Sequence, residues 1–203
     1  MRAQGSGQRI ADLRDDPGEL DSLADRLDPR TNRELILDRF DELFRSGTAP
    51  NPVPDGFLAG RLLGTSTWAW LDAFGQRMAG LWMPWQGKSF SADASTGLNR
   101  FTPSARIPLK VVFPSYAPEL AGPDRIDAFP FRTRIGPGAL DPEVQVLKID
   151  YDFEANPDFI IRRILDELVQ LAPGRYLGKV LFRIGGRFHP IGFFSLRDPS
   201  APR

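Results

Sequence analysis

The sequence predicts an α+β protein, with an N-terminal helical arm followed by an antiparallel β-barrel or a strongly curled sheet. Three observations predict it. Near the carboxy terminus, two apolar, aromatic-rich runs, Tyr176 to Ile184 and Phe188 to Arg197, are joined by Gly185-Gly186. A type I′ hairpin turn needs positive φ at both central residues, which glycine adopts without a Cβ clash. Upstream, Val144 to Tyr151 and Ala128 to Ile135 alternate with the period of two expected of half-buried strands. Towards the other end, Thr31 and Glu34 form a capping box ahead of Ile36, Phe40, Leu43 and Phe44, an apolar stripe at helical spacing.

Taken in order, residues 1–17 are polar and Gly-rich and read as a loose N-terminus. Residues 18–49 form the helical arm. Its first helix carries Leu20, Leu23, Ala24 and Leu27 and stops at Pro29, and its second follows Thr31. Residues 50–56, with three prolines, are a semi-rigid linker. The main domain spans 57–198 and opens with a strand from Phe57 to Leu63. A helix from Thr67 to Leu81 then has Trp68, Leu71, Phe74, Met78 and Leu81 on one face, placed to plug an end of the barrel. Trp82 to Phe90 reads as a bend or strand entry, Leu98 to Phe101 as a short strand, and Ile107 to Phe113, bounded by prolines, as an edge strand. In Ala128 to Ile135, Phe129, Phe131, Thr133 and Ile135 share one face. Pro157 to Leu171 fits both periods. Asn156 as cap and Pro157 at the first position favour a helix to about Arg163, with a strand from about Glu167. Residues 199–203 are a tail. Short strands at hairpin spacing favour a sheet that closes, whose interior either fills with side chains or holds one ligand.

Composition narrows the function classes. Lys plus Arg equals Asp plus Glu at 26 each, so the chain has no global attraction for nucleic acid or anionic lipid. With no cysteine and one histidine, disulfides, thiolate nucleophiles and multi-His metal sites within the chain are excluded. There is no secretory signal and no apolar run long enough to span a membrane, so the cytoplasm is the default location. Gly87-Lys88-Ser89 lacks the upstream glycine of a phosphate-binding loop, and no Gly-x-Ser-x-Gly elbow exists. No cofactor, no metal and no catalytic residue is expected.

Trp85-Gln86-Gly87-Lys88-Ser89-Phe90, Tyr151-Asp152, Asn156-Pro157, Arg162, Leu177-Gly178 and Phe193 to Arg197 carry a resemblance. In these residues the chain resembles the small bacterial proteins of the GXWXG type and, more loosely, the lipocalin-like (calycin) barrels. The resemblance covers Trp82 to Arg197 and leaves out the helical arm. It implies a barrel with room for a small apolar ligand, and it implies no known reaction.

The leading expectation is therefore non-enzymatic binding of a small, largely apolar molecule, with an acidic head group as one form of it. Trp82, Trp85, Phe129, Phe131, Tyr151, Tyr176 and Phe194, with Phe182, are the candidate walls. Lys88 and Arg132, with Arg134 and Lys148, are the candidates to orient the head group. Two alternatives stand beside this reading. One is an isomerase- or lyase-type enzyme with Asp150 or His189 as general base. Asp150 and Asp152 share a strand face, and His189 titrates near neutrality. The other is an interaction domain that docks a protein partner through residues 31–46. Arg162–Asp166 and Arg163–Glu167, at i,i+4, read as the solvated face of a helix.

Overall fold

The structure, a computed structural model, describes residues 32–65 and 84–201. Thr31, the helix expected before Pro29, the helix expected from Thr67 to Leu81, and Trp82 lie outside the described residues. Within them, helix α1 (Arg33–Ser46) precedes strands β1 (Gly56–Thr65), β2 (Trp85–Ser91) and β3 (Thr96–Phe101). Helix α2 (Arg106–Val112) and the two-residue β4 (Leu120–Ala121) follow. Then come β5 (Ile126–Pro137), β6 (Gln145–Asp150), β7 (Ile164–Ala172), β8 (Arg175–Ile184) and β9 (Arg187–Arg197).

The strands run in the order β3-β2-β1-β9-β8-β7-β6-β5, and β3 pairs again with β5. The sheet therefore closes into an antiparallel barrel of eight strands among the described residues, with β4 laid along β5. Closure leaves no unpaired sheet edge round the ring. The β8–β9 hairpin turns at Gly185 and Gly186, with φ of 54° and 80°, the positive pair that a two-residue type I′ turn requires.

Apolar side chains segregate into two cores. The inner one lines the barrel interior with Leu58, Phe90, Phe101, Phe131, Leu147, Ile149, Leu168, Leu196 and their neighbours. The outer one lies between α1 and the barrel wall, where Ile36, Phe40, Leu43 and Phe44 meet Leu63, Val146, Val169, Leu177 and Phe193. The stripe of α1 thus covers the outside of its own barrel, and β8 is buried without a break from Tyr176 to Phe182. Lys179 anchors this layer. It is 2% exposed, and its Nζ lies 2.5 Å from both Asp41 Oδ1 and Asp141 Oδ2. Arg45 Nε donates to Asp141 Oδ1 at 2.7 Å. Burial pushes the Asp141 carboxyl up, but the hydrogen bonds and charges of Arg45 and Lys179 outweigh it and hold the group below its ordinary value.

Several expectations are corrected. Ile107 to Phe113 is not an edge strand. It is helix α2, with Pro108 in the first turn, where a missing N–H breaks no helical bond. Pro157 to Arg163 is not a continuous helix. Only a 3-10 turn forms, over Ile161–Arg163, and β7 begins at once at Ile164. Asn156 does not cap it, because its Nδ2 donates to Tyr151 O at 2.9 Å and Pro130 O at 2.7 Å. The i,i+4 pairs Arg162–Asp166 and Arg163–Glu167 are consequently not those of a helix. Arg162 pairs with Asp152 at 2.8 Å and with Asp158. At the far end of β5, Ile135 is 50% exposed rather than sharing the buried face of Phe131.

Candidate binding site in the barrel interior

Lys88 is the unusual residue of the inner core. It is 3% exposed, in a barrel whose other inward residues are mostly apolar. Strand register explains how it comes to be there with Trp85. Residues three apart on a regular strand point to opposite faces. Between Trp85 and Gly87 the pairing with β3 shifts, so that Trp85 faces Phe101 while Gly87 faces Arg100. This β-bulge inserts one residue and brings the Trp85 and Lys88 side chains to the same side of the wall.

The lysine ends in a closed polar cluster. Nζ donates to Asn99 Oδ1 at 3.0 Å and to the Tyr151 hydroxyl, and lies 2.9 Å from Asp166 Oδ2. All three ammonium protons thus have acceptors. The Tyr151 hydroxyl donates to Asp166 Oδ2 at 3.1 Å and accepts from Asn99 Nδ2 at 3.0 Å. Trp85 Nε1 donates to Asn99 Oδ1 at 3.1 Å. Asp166 Oδ1 is buried and has no hydrogen-bond partner. Aromatic faces surround the charge, with the Tyr151 and Phe194 ring centroids 5.1 Å from Nζ and those of Trp85 and Phe131 at 5.5 Å.

Burial pushes the Lys88 ammonium below its ordinary range, against the opposing pull of Asp166. Burial, and the Asp166 charge beside it, push the Tyr151 phenol far up. Tyr151 is therefore a neutral donor at any physiological pH. Lys88 and Asp166 balance each other, so the cluster has no formal net charge when both are ionised.

This cluster forms one wall of a cavity of about 90 Å³. Phe101, Phe129, Val180, Phe194, Ile161 and Ile164 make the apolar remainder, and Trp85 and Ile164 are its half-buried members. Phe129 reaches the cavity through a second bulge. The β3–β5 register slips between Gly97 and Asn99, opposite Phe131 and Ala128, and Phe129 takes a φ of 55°. A positive φ is disfavoured for a bulky residue and persists only where the surroundings impose it. Here Tyr116 does so. Its hydroxyl accepts from Phe129 N at 2.6 Å, and its ring stacks on Phe129 at 5.0 Å. Glycines set the other walls. A Cβ on Gly60 would lie 2.4 Å from the Trp85 ring, and one on Gly178 would lie 2.1 Å from Phe194 Cζ, so both rings lie directly on backbone.

Of the residues singled out from sequence, the structure brings Trp85, Lys88, Phe129, Tyr151 and Phe194 together round the cavity. Phe131 is fully buried beside it, edge-on to Tyr151, and Tyr176 and Phe182 belong to the inner core away from the lining. Arg132 is exposed, with its guanidinium over Phe153, and Arg134 is exposed as well. Lys148 lies 3.5 Å from Glu167 and does not line the cavity. Asp150 accepts from Asp152 N at 3.0 Å, and His189 faces Phe182 across the β8–β9 ladder. Neither lines the cavity. Asn99 and Asp166 are the polar members that sequence reasoning missed. The available signal is a single carboxylate at the even spacing of Ile164 and Leu168 on an apolar strand. Among the described residues no cluster of three His, Cys, Asp or Glu could hold a metal ion, and no helix is long and apolar enough to cross a membrane.

No family model matches the chain and no curated protein matches it, so neither comparison supports the GXWXG-type or calycin resemblance. A solved structure of a protein from Thermomonospora curvata is similar, at 16% identity and a TM-score of 0.44. The match covers 82% of this chain and 87% of that one.

Proposed function

We propose that the barrel binds a small, neutral organic molecule, with an apolar body against Phe101, Phe129, Val180 and Phe194 and one hydrogen-bonding head group at the Lys88–Tyr151–Asp166 cluster. The observation that carries this reading is that Asp166 lines the cavity while its buried Oδ1 has no donor to meet it. An unpaired buried acceptor costs about 1–3 kcal/mol, which a ligand hydroxyl would recover. A neutral head group suits the site better than the acidic one expected from sequence, because Lys88 already has Asp166 as counter-ion. A ligand inside a closed antiparallel barrel is also the use that lipocalin-like barrels make of their interior.

Size restricts the guest. A cavity of about 90 Å³ is smaller than the roughly 150 Å³ void that admits benzene. A short branched alcohol such as isobutanol is the fitting probe. At a ceiling of about 1.5 kcal/mol per non-hydrogen atom, such a guest binds no tighter than micromolar. The test is an NMR titration that follows the Trp85 indole N–H, assigned with Trp85→Phe. Isobutanol is expected to shift this resonance saturably, and isobutyrate is not. No saturable shift with any small alcohol, ketone or aldehyde would remove the reading.

A further inference from the structure

We propose that Lys88 is a covalent carbonyl-binding residue, whose Nζ condenses with a small aldehyde or ketone in the barrel cavity to form an iminium ion. The inference rests on the cavity being a binding site, and it goes further in assigning a bond-forming step to one atom.

The chain has four lysines, Lys88, Lys110, Lys148 and Lys179. Lys110 is exposed on α2, and Lys148 lies beside Glu167 away from the cavity. Lys179 is as buried as Lys88, but it sits between two carboxylates, Asp41 and Asp141. Lys88 alone places a primary amine in the cavity wall with a single carboxylate, a phenol and four aromatic faces round it. An amine becomes nucleophilic when its proton has a place to go and when its surroundings disfavour charge. Asp166 Oδ2, at 2.9 Å, is that place, and burial supplies the second condition.

The step balances within these groups. The Lys88 ammonium gives one proton to Asp166, and the freed lone pair attacks the carbonyl carbon as the C=O π pair moves to oxygen. Asp166 returns the proton to that oxygen, which gives a carbinolamine. It then takes a proton from nitrogen and delivers it to the hydroxyl, which leaves as water while nitrogen forms the C=N bond. One carbonyl compound and one ammonium become one iminium ion and one water. No oxidant, reductant or other reactant is needed. The charge on Nζ at the end equals that at the start, so Asp166 keeps its counter-ion and the aromatic faces keep their cation. In the intermediate, the carbinolamine hydroxyl is a donor, and Asp166 Oδ1 is an acceptor that lacks one.

The test uses the full chain with isobutyraldehyde and cyanoborohydride, which reduces an iminium ion to a stable secondary amine. Intact mass and peptide mapping then locate the adduct. The expected result is a single adduct at Lys88, formed about tenfold or more faster than at exposed Lys110, as binding beside the amine raises its effective concentration. Lys179 is expected to stay unmodified, and Lys88→Arg, checked for folding by circular dichroism, to abolish the selective adduct. Adducts led by Lys110 or the terminal amine, with Lys88 unmodified, would overturn the inference. The isobutanol titration of Trp85 separates the two ideas. Binding without a Lys88 adduct removes the covalent step and leaves the binding reading, whereas the absence of both removes both.

Discussion

Replacing Lys88 by methionine isolates the ion pair on which the site depends. Methionine keeps much of the length and apolar volume of the stem and removes the charge. Asp166 would then keep one partner on Oδ2, the Tyr151 hydroxyl at 3.1 Å, and none on Oδ1. Its side chain is only 5% exposed, so it stays largely desolvated. Breaking a buried pair from one side costs about 3–5 kcal/mol, because an uncompensated charge remains. With a urea m-value of about 2 kcal/mol per molar, a loss of 4 kcal/mol lowers the unfolding midpoint by about 2 M. Removing both partners, as Lys88→Met with Asp166→Leu, is expected to recover most of that loss, since apolar replacements of a buried pair are commonly close to neutral. The assay is urea unfolding of wild type, both single variants and the double variant near neutral pH. With each one-sided change costing several kcal/mol and the double change recovering most of one such loss, a coupling of at least about 3 kcal/mol between the two sites is expected. A single variant that costs less than about 1 kcal/mol, or strictly additive losses, would refute a desolvated, mutually dependent pair.

Other outcomes follow from the packing and charges. Gly178→Ala places a Cβ 2.1 Å from Phe194 Cζ. It is expected to cost about 1–3 kcal/mol in urea unfolding by displacing a cavity wall, and unchanged stability would show that the ring is not held there. All three tyrosines have phenols raised by burial, Tyr116 to about 12 and Tyr151 well above its ordinary value. For a raised group the stability contribution is complete below the unfolded value of about 10 and is lost as pH rises through the folded value. Near-ultraviolet absorbance should therefore show tyrosinate appearing together with alkaline unfolding. A smooth titration near 10 with a native circular dichroism spectrum would contradict this. Asp141 has a lowered pKa, so its contribution is complete above the ordinary 3.8 and is lost as pH falls through the folded value. Asp141→Asn is expected to cost about 2 kcal/mol near neutrality, with the gap to wild type narrowing below that pH. A gap that does not vary with pH would argue against the Arg45–Asp141–Lys179 anchor.

The parts of the fold that were legible in the sequence are those governed by local rules. The Gly185-Gly186 turn could be read because positive φ at both positions leaves little but glycine. Val144 to Tyr151 could be read as β6 because apolar residues recur at two-residue steps on each face, Val144 and Val146 towards α1 and Leu147, Ile149 and Tyr151 towards the interior. β7 was half hidden. It lies between the barrel interior and the layer under α1, so Leu168 is buried on one face and Val169 on the other, and the period of two disappears. The resulting apolar pairs at four-residue steps imitate a helix. In α2, apolar Ile107, Leu109 and Val111 imitate a strand, although only Leu109 is buried. In the site, aromatic content singled out Trp85, Phe129, Tyr151 and Phe194, which line the cavity. Asn99 and Asp166 were not legible as partners of Lys88, because the bulge after Trp85 and the closure of the ring bring β2, β3 and β7 to one cluster. Neither feature has a signature in the residues that it moves.

The central claim is that the space beside Lys88 receives a guest. A crystal soaked with a small bromo-alcohol tests it directly, since bromine is located by its anomalous scattering. The account predicts a peak between Phe129, Val180 and Phe194, with the hydroxyl at Asp166. A peak only outside the barrel, or none inside it at saturating soak, would contradict it.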